Sequence, residues 1–352
     1  MPVRDTPFLA VDVDVLDRNL ASMAARAQEG GLALRPHAKT HKCVEIARRQ
    51  VALSGAGLTL ATVAEAEVFA AAGFDDVFLA YPIVAVGERA VRLRRLADRV
   101  RLRIGVDSAD GAALLARALP GVEVLVEVDS GHHRTGVAPE AAGAVATAAA
   151  EAGLAVLGVF TFPGHGYGPN ARGRAAADEA ATLTAAADSV RAAGIEPRVV
   201  SGGSTPTAAL ADPGALTELR PGVYAFYDAQ QVELGSAGFA DVALTAVATV
   251  VSRAPGRVVL DAGGKVLAAD RSASATGHGR LPDHPDARVV ALSEHHATVT
   301  FPDGVAAPAV GERLRVAPNH VCAAVNLADE LVVVSGGVEV DRWAVAARGA
   351  NT

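Results

Sequence analysis

The 352-residue sequence predicts a (β/α)8 barrel followed by a β domain, and three observations carry that prediction. Short apolar, β-branched runs alternate with alanine-rich helical stretches from about residue 30 to residue 230. Beyond about residue 240 the texture changes: strand-like runs follow one another across turn signals, and helical stretches nearly vanish. Polar and glycine-rich motifs recur just after the apolar runs, and the C-terminal ends of barrel strands are where such folds carry chemistry.

The first strand, 8–13, precedes the barrel pattern and is expected to pair with the β domain. The eight barrel strands are expected at 32–36, 57–59, 77–80, 101–106, 122–128, 155–161, 198–201 and 222–226. Segments of helical periodicity such as 63–72 and 171–193 separate them. In the β domain, strands are expected at 242–252, 257–262, 288–292, 297–301, 312–317 and 331–335, punctuated by A-P-G-R, P-D-G and S-G-G. The expected division is a barrel over 14–240 and a β domain built from 1–13 and 241–352.

Composition narrows the function classes. Hydrophobic residues make up 51% and charged residues 20%, as in an ordinary globular enzyme. The net charge of -7 and the lack of a basic cluster argue against a nucleic-acid partner. The alanine-rich stretch 138–160 comes nearest to a membrane span, but Glu140 and Glu151 interrupt it, so no membrane partner is expected. The N-terminus, M-P-V-R-D-T-P, has no apolar signal region. Only Cys43 and Cys322 are present; one disulfide is possible, yet two thiols in so long a chain point to a reduced, cytoplasmic protein.

The strand-end motifs supply the candidate site. Lys39 follows the first barrel strand within R-P-H-A-K-T-H-K (35–42), among His37, His41 and Lys42. Neighbouring cations or burial would lower its pKa and leave the free amine that Schiff-base chemistry needs; a surface lysine at a strand end is the plainer reading. S-G-G-S-T-P-T (201–207) has the glycines for close backbone approach, a Ser204 or Thr205 that could cap a short helix, and Pro206 for its first turn. Such a helix start binds phosphate, although an ordinary βα turn can read the same way. Arg134, in D-S-G-H-H-R-T-G (129–136), could fork to a phenolate or carboxylate, or form a rim ion pair. Tyr167 and Tyr224 could hydrogen-bond a cofactor or simply pack, while His132, His133, His165, His295 and His296 read as structural or solvated. His320 and Cys322 lie two apart in N-H-V-C, on one side of an extended segment, an imidazole and a thiolate suited to zinc. No third or fourth ligand stands out, so the pair is either incidental or the open site of a catalytic metal.

Together these motifs resemble the D-serine dehydratase and D-threonine aldolase family of fold-type III pyridoxal-phosphate (PLP) enzymes, alanine-racemase-like in fold. The resemblance runs from T-P-F-L-A-V-D-V-D-V-L-D-R-N-L (6–20) through R-P-G-V-Y-A-F-Y-D (220–228) and L-D-A-G-G-K-V-L-A-A-D-R (260–271) to P-N-H-V-C (318–322). It implies that Lys39 carries PLP, that Arg134 lies near the ring oxygen and Tyr167 near the ring. It implies a phosphate held by Gly203, Ser204 and Thr205 with backbone around Gly222 and Tyr224, zinc (Zn2+) held by His320 and Cys322, and a homodimer. Aldolases of this group tend to carry H-x-D and dehydratases H-x-C, so Cys322 favours a zinc-dependent D-serine dehydratase forming pyruvate and ammonia. One departure is S-E-H-H-A (293–297), where family members often have S-E-E-H-G.

PLP is an electron sink for charge at Cα. With Lys39 as base and zinc on the β-hydroxyl, the implied outcome is dehydration of a D-β-hydroxy amino acid. The same residues would serve a D-threonine aldolase or a D-3-hydroxyaspartate dehydratase or aldolase. A non-catalytic PLP homeostasis protein is the alternative from another class, but the β domain and the H-x-C pair argue against it. A racemase would place a tyrosine base where this chain has the metal pair.

Overall fold

A computed structural model describes residues 4–272 and 275–352; residues 1–3, at the head of the segment expected in the β domain, lie outside it. The chain forms two compact units. One comprises residues 23–39, 47–222 and 350–352; the other comprises the N-terminal residues to 22 with 40–46 and 223–349. Among the described residues, no helix is long and apolar enough to cross a membrane.

The first of these units is the barrel. Its strands are β2 (Ala33–Leu34), β3 (Leu58–Leu60), β4 (Asp76–Pro82), β5 (Arg101–Val106), β6 (Glu123–Glu127), β7 (Ala155–Phe160), β8 (Val199–Gly202) and β9 (Glu218–Leu219). They run in the order β2-β9-β8-β7-β6-β5-β4-β3, every pairing parallel. Parallel bridges Leu34–Gly55 and His37–Thr59, with the Thr59 amide donating to the Pro36 carbonyl at 2.9 Å, close the ring. After α1 (Val13–Glu29), the connections carry α2 (Val44–Ser54), α3 (Val63–Ala71), α4 (Gly87–Ala97), α5 (Ala109–Ala118), α6 (Ala142–Glu151) and α7 (Arg172–Ala192). Local chemistry starts several of them: the Thr62 hydroxyl accepts from Glu65 N at 3.0 Å and that of Ser108 from Gly111 N at 3.2 Å.

The eighth barrel strand is not at 222–226 as the sequence suggested. It is the two-residue β9, Glu218–Leu219, and the expected segment instead coils into a 3-10 turn, Val223–Ala225. Pro221 and Gly222 break the extended run, and Phe226 N and Tyr227 N fold back onto the Val223 carbonyl at 3.0 and 2.7 Å. Glu218 hides the strand from an apolar pattern, because it is a buried charge with partners. Its carboxylate accepts from Arg35 Nε at 2.8 Å and from Ser201 Oγ at 2.6 Å. Arg35 also reaches Asp76 at 2.7 Å, and Arg103 reaches Glu123 at 3.1 Å and Asp76 at 3.5 Å. This ion network lies mainly near the strand starts; apolar packing such as the edge-to-face pair Phe78–Phe160, 5.1 Å apart, fills other parts of the barrel.

The second unit is built on β1 (Phe8–Asp12), β10 (Leu244–Ala254), β11 (Arg257–Leu260), β12 (Arg288–Leu292), β13 (Ala297–Thr300), β14 (Arg313–Val316), β15 (Glu330–Ser335) and β16 (Val338–Ala344). The order is β12-β13-β11-β10-β1-β15-β16, with β14 also on β10. The N-terminal strand does join this sheet: β1 is antiparallel to β10 and parallel to β15, and Phe8, Ala10, Val247 and Val332 pack together. Three short helices accompany the sheet: α8 (Ala229–Glu233), α9 (Gly264–Leu267) and α10 (Val321–Val325). β16 is an addition to the expected strands; it is a half-exposed edge, V-E-V-D-R-W-A, whose apolar residues mostly face outward.

Candidate active site

In the barrel unit, Lys39 follows β2, half-buried within a 3-10 turn (Ala38–Thr40) whose last residue belongs to the other unit. Its Nζ stands 5.6 Å from the centroid of Phe162, and the exposed Arg134 guanidinium stands 5.3 Å from the same ring. Phe162 also meets His132 edge-to-face at 5.5 Å and Tyr167 at 6.3 Å. The ends of β2, β6 and β7 thus converge on one aromatic side chain that the sequence reading passed over. Asp129 organises the loop after β6: its Oδ1 accepts from Gly131 N at 2.9 Å and His133 N at 3.0 Å, and its Oδ2 lies 2.7 Å from His133 Nδ1. His132 is held below its ordinary pKa by burial, then by the charge of Arg134 and by His165, which favours the neutral ring.

The loop after β8 is buried throughout residues 201–208. Gly203 has φ +86°, where a Cβ would lie 2.7 Å from Leu219 Cδ2, so only glycine fits. No α-helix begins at Ser204 or Thr205; a turn over 205–207 leads into a 3-10 helix, Ala208–Leu210. The reason is local: Thr207 Oγ1 accepts the Ser204 amide at 3.1 Å, and the Ser204 carbonyl receives Thr207 N and Ala208 N at 3.2 and 2.8 Å. The Gly203 amide donates to Glu179 Oε1 at 2.6 Å. Arg220, fully buried, donates from Nε to Ser201 Oγ at 2.8 Å and from its Nη2 to the Thr161 carbonyl, and burial lowers its pKa. Gly222 follows in this unit, half-buried.

In the other unit, Tyr224 is 1% exposed, inside the Val223–Ala225 turn. His320 and Cys322 come together by a different local geometry from the one expected. His320 is extended (φ -130°, ψ 106°) but caps α10, and Cys322 belongs to that helix's first turn. Cys322 Sγ lies 3.3 Å from Thr40 Oγ1, and His320 Nδ1 lies 3.5 Å from Asp228 Oδ2. Asp228 is completely buried; its Oδ1 caps α8 through Gln231 N at 2.9 Å and its Oδ2 accepts Val321 N at 3.1 Å. The Cys322 sulfur is the main influence holding the His320 pKa up at about 11, with burial opposing and Asp228 adding to the rise. Among the described residues, no three His, Cys, Asp or Glu groups form a metal cluster. In the departing segment S-E-H-H-A, residues 293–296 form the exposed β12–β13 connection, where Lys265 pairs with Glu294 at 2.8 Å, and Ala297 is buried at the start of β13.

The alanine racemase N-terminal domain family matches residues 11–230, and the putative serine dehydratase domain family matches residues 243–334. The chain belongs to the alanine-racemase-like, fold-type III PLP-dependent lyases. It is 37% identical to a D-threonine aldolase of Arthrobacter sp. over 98% of this chain and 93% of that one. The solved structure of D-threo-3-hydroxyaspartate dehydratase from Delftia sp. HT23 superposes with a TM-score of 0.90 at 32% identity, covering 97% of both chains. A cysteine-to-alanine mutant of such a dehydratase, solved in the metal-free form, superposes with a TM-score of 0.89 at 32% identity over 97% of both chains.

The residues present suit the groups that this family implies. For PLP, the barrel offers a half-buried lysine beside an aromatic ring and a loop that approaches closely because Gly203 has no side chain. For a divalent metal, an imidazole and a thiol stand together at His320 and Cys322, with the buried Asp228 carboxylate, held by two backbone amides, 3.5 Å from His320 Nδ1. Arg220, Phe162, Glu179 and Asp228 were missed as functional candidates. R-P-G, A-D-E and Y-D were visible as letters, but burial and partners separated by dozens of residues give them their meaning.

Proposed function

We propose that this chain is a PLP- and metal-dependent dehydratase of D-β-hydroxy amino acids, with a 3-hydroxyaspartate-like substrate ahead of D-serine. The observation that carries the reading is the His320–Cys322 pair with its Asp228 and Thr40 neighbours. Support comes from the hydroxyaspartate dehydratase relative, whose cysteine mutant was solved metal-free. The D-serine preference suggested by the H-x-C spacing yields to this one, because the relatives described above are hydroxyaspartate dehydratase and threonine aldolase.

In this reading the barrel segment 14–240 holds the cofactor: Lys39 covalently, Arg134 and Tyr167 about the ring, and Gly203, Ser204 and Thr205 with backbone near Gly222 and Tyr224 at the phosphate. His320 and Cys322 hold zinc in the segment 241–352. When bound, PLP supplies an electron sink and zinc a Lewis acid for an oxygen. The chain's own work is proton handling and orientation. Lys39, once its amine is free, takes the α-proton from one face, which fixes the accepted enantiomer as D by family likeness. Arg134 supplies a permanent positive charge, whereas the lowered pKa of His132 disfavours its charged form. Asp228, whose carboxylate two backbone amides hold in place, stands 3.5 Å from His320 Nδ1 and would orient the ring once a metal is bound.

The test is product analysis with D-threo-3-hydroxyaspartate, D-threonine and D-serine, with and without added zinc. A 2-oxo acid of unchanged carbon skeleton plus ammonia supports dehydration. A second reading, D-threonine aldolase, rests on the 37% identical relative and is recognised by glycine and acetaldehyde from D-threonine. Borohydride reduction and peptide mapping should place the cofactor on Lys39; label on Lys42 or Lys265 would overturn that assignment. A homodimer, implied by the family resemblance, should show a light-scattering mass near twice 35.6 kDa.

A further inference from the structure

Glu179 sits on α7 with 0% exposure, directly behind the loop that follows β8. Its Oε1 accepts the Gly203 amide at 2.6 Å. A Cβ on Gly202 would stand 2.4 Å from that same oxygen, so the loop backbone rests against the carboxyl group. Its Oε2 is buried and, among the described residues, has no hydrogen-bond partner. A side chain on Gly202 would press on the carboxyl group and one on Gly203 would meet a positive φ, and a helix of 21 residues anchors the acid from below. We propose that Glu179 is a positioning residue for the cofactor phosphate: it holds the Gly203 amide in place, and its own charge state sets how tightly residues 203–205 take a phosphate dianion. The proposal rests on the reading of 203–205 as the phosphate cradle.

The physical basis is the unequal treatment of the two oxygens. A neutral carboxylic acid can still accept from Gly203 through Oε1, while an ionised one leaves Oε2 a buried charge with no donor. Burial accordingly raises the Glu179 pKa to about 7, opposed by the Gly203 amide and then by Arg220. Arg220 is the cation that faces it, and Arg220 is itself shared with Glu218 and Glu127. The adjacent Asp178 is half exposed and engaged by His165 at 3.3 Å and Arg174 at 3.5 Å. A phosphate dianion in front of the loop favours the protonated acid behind it, so binding raises the Glu179 pKa further. By linkage, phosphate affinity weakens as pH rises through neutrality.

The experiment is a PLP titration of the full-length apoprotein between about pH 6 and about pH 8, comparing wild type with E179Q and E179A. The ionisation of PLP itself is common to all three and cancels. E179Q keeps an acceptor for Gly203 but cannot ionise. Its Kd should match wild type at the acid end and be about fivefold tighter at the alkaline end. E179A leaves the Gly203 amide without its acceptor and should bind about tenfold more weakly throughout. Parallel pH profiles for wild type and E179Q would overturn the proposal, as would an E179A protein that binds like wild type. Should E179A fail to fold, the E179Q profile decides alone. A wild type that does not bind PLP overturns the cradle reading and this inference together; one that binds PLP on Lys39 with profiles parallel to E179Q overturns only the role of Glu179.

Discussion

Replacing Asp228 by alanine removes a single side chain that performs three tasks. Its Oδ1 caps α8 through Gln231 N, its Oδ2 accepts Val321 N, and the same oxygen faces His320 Nδ1. The residue is fully buried, so water does not substitute for the lost acceptors. Losing an N-cap costs about 1 kcal/mol, and stranding a buried amide costs about 1–3 kcal/mol. Taken together, D228A should lose about 3 kcal/mol of unfolding free energy, read from urea transitions of metal-free protein. The His320 ring also loses its orienting carboxylate, so zinc affinity should fall about 10- to 100-fold, read by competition with a chromophoric chelator. D228N should recover part of the stability, because one oxygen remains for Gln231 N, but its amide nitrogen cannot accept from Val321. A D228A protein within about 0.5 kcal/mol of wild type, with unchanged zinc affinity, would refute the reasoning on both counts.

Cys322→Ala should abolish metal-dependent turnover while leaving the PLP absorbance and far-UV spectrum intact; unfolding on chelation would instead mark the metal as structural. Lys39→Ala should lose both covalent PLP and activity, seen as the loss of borohydride-fixed label. Glu218→Ala would take from the buried Arg35 one of its two carboxylate partners, from the Ser201 hydroxyl its acceptor and from Arg220 one of the negative charges around it, costing about 3–5 kcal/mol in a denaturant titration. Asp283 is held below the usual carboxylate range by its hydrogen bond from Arg315. Its stabilising contribution is therefore complete above about pH 4 and lost as pH falls through the depressed folded value, and D283N should remove that part of the acid transition.

The chain's letters alone determined the kind of fold and the neighbourhood of the chemistry. Parallel barrel strands buried on both faces read as apolar runs, and the helices between them show a helical period, so β4 through β8 lie close to where the pattern put them. R-P-H-A-K-T-H-K places Lys39 just past a strand end whatever the details of packing, and β1 joins the sheet its position suggested. Tertiary structure decided whatever depends on partners distant in sequence. β9 is a strand because its backbone pairs with β2 and β8, and Glu218 is tolerated in it because Arg35, 183 residues away, meets its carboxylate; no local pattern records either pairing. Phe162 gathers Lys39, Arg134, His132 and Tyr167 only because three separate strand ends meet at it. His320 and Cys322 were legible as a pair, but not the helix turn that joins them or the carboxylate of Asp228 that braces them. The physical reason is burial. A charged letter is ordinarily solvated, and only the folded chain withdraws Glu179, Glu218, Arg220 and Asp228 from water, leaving each dependent on the groups around it.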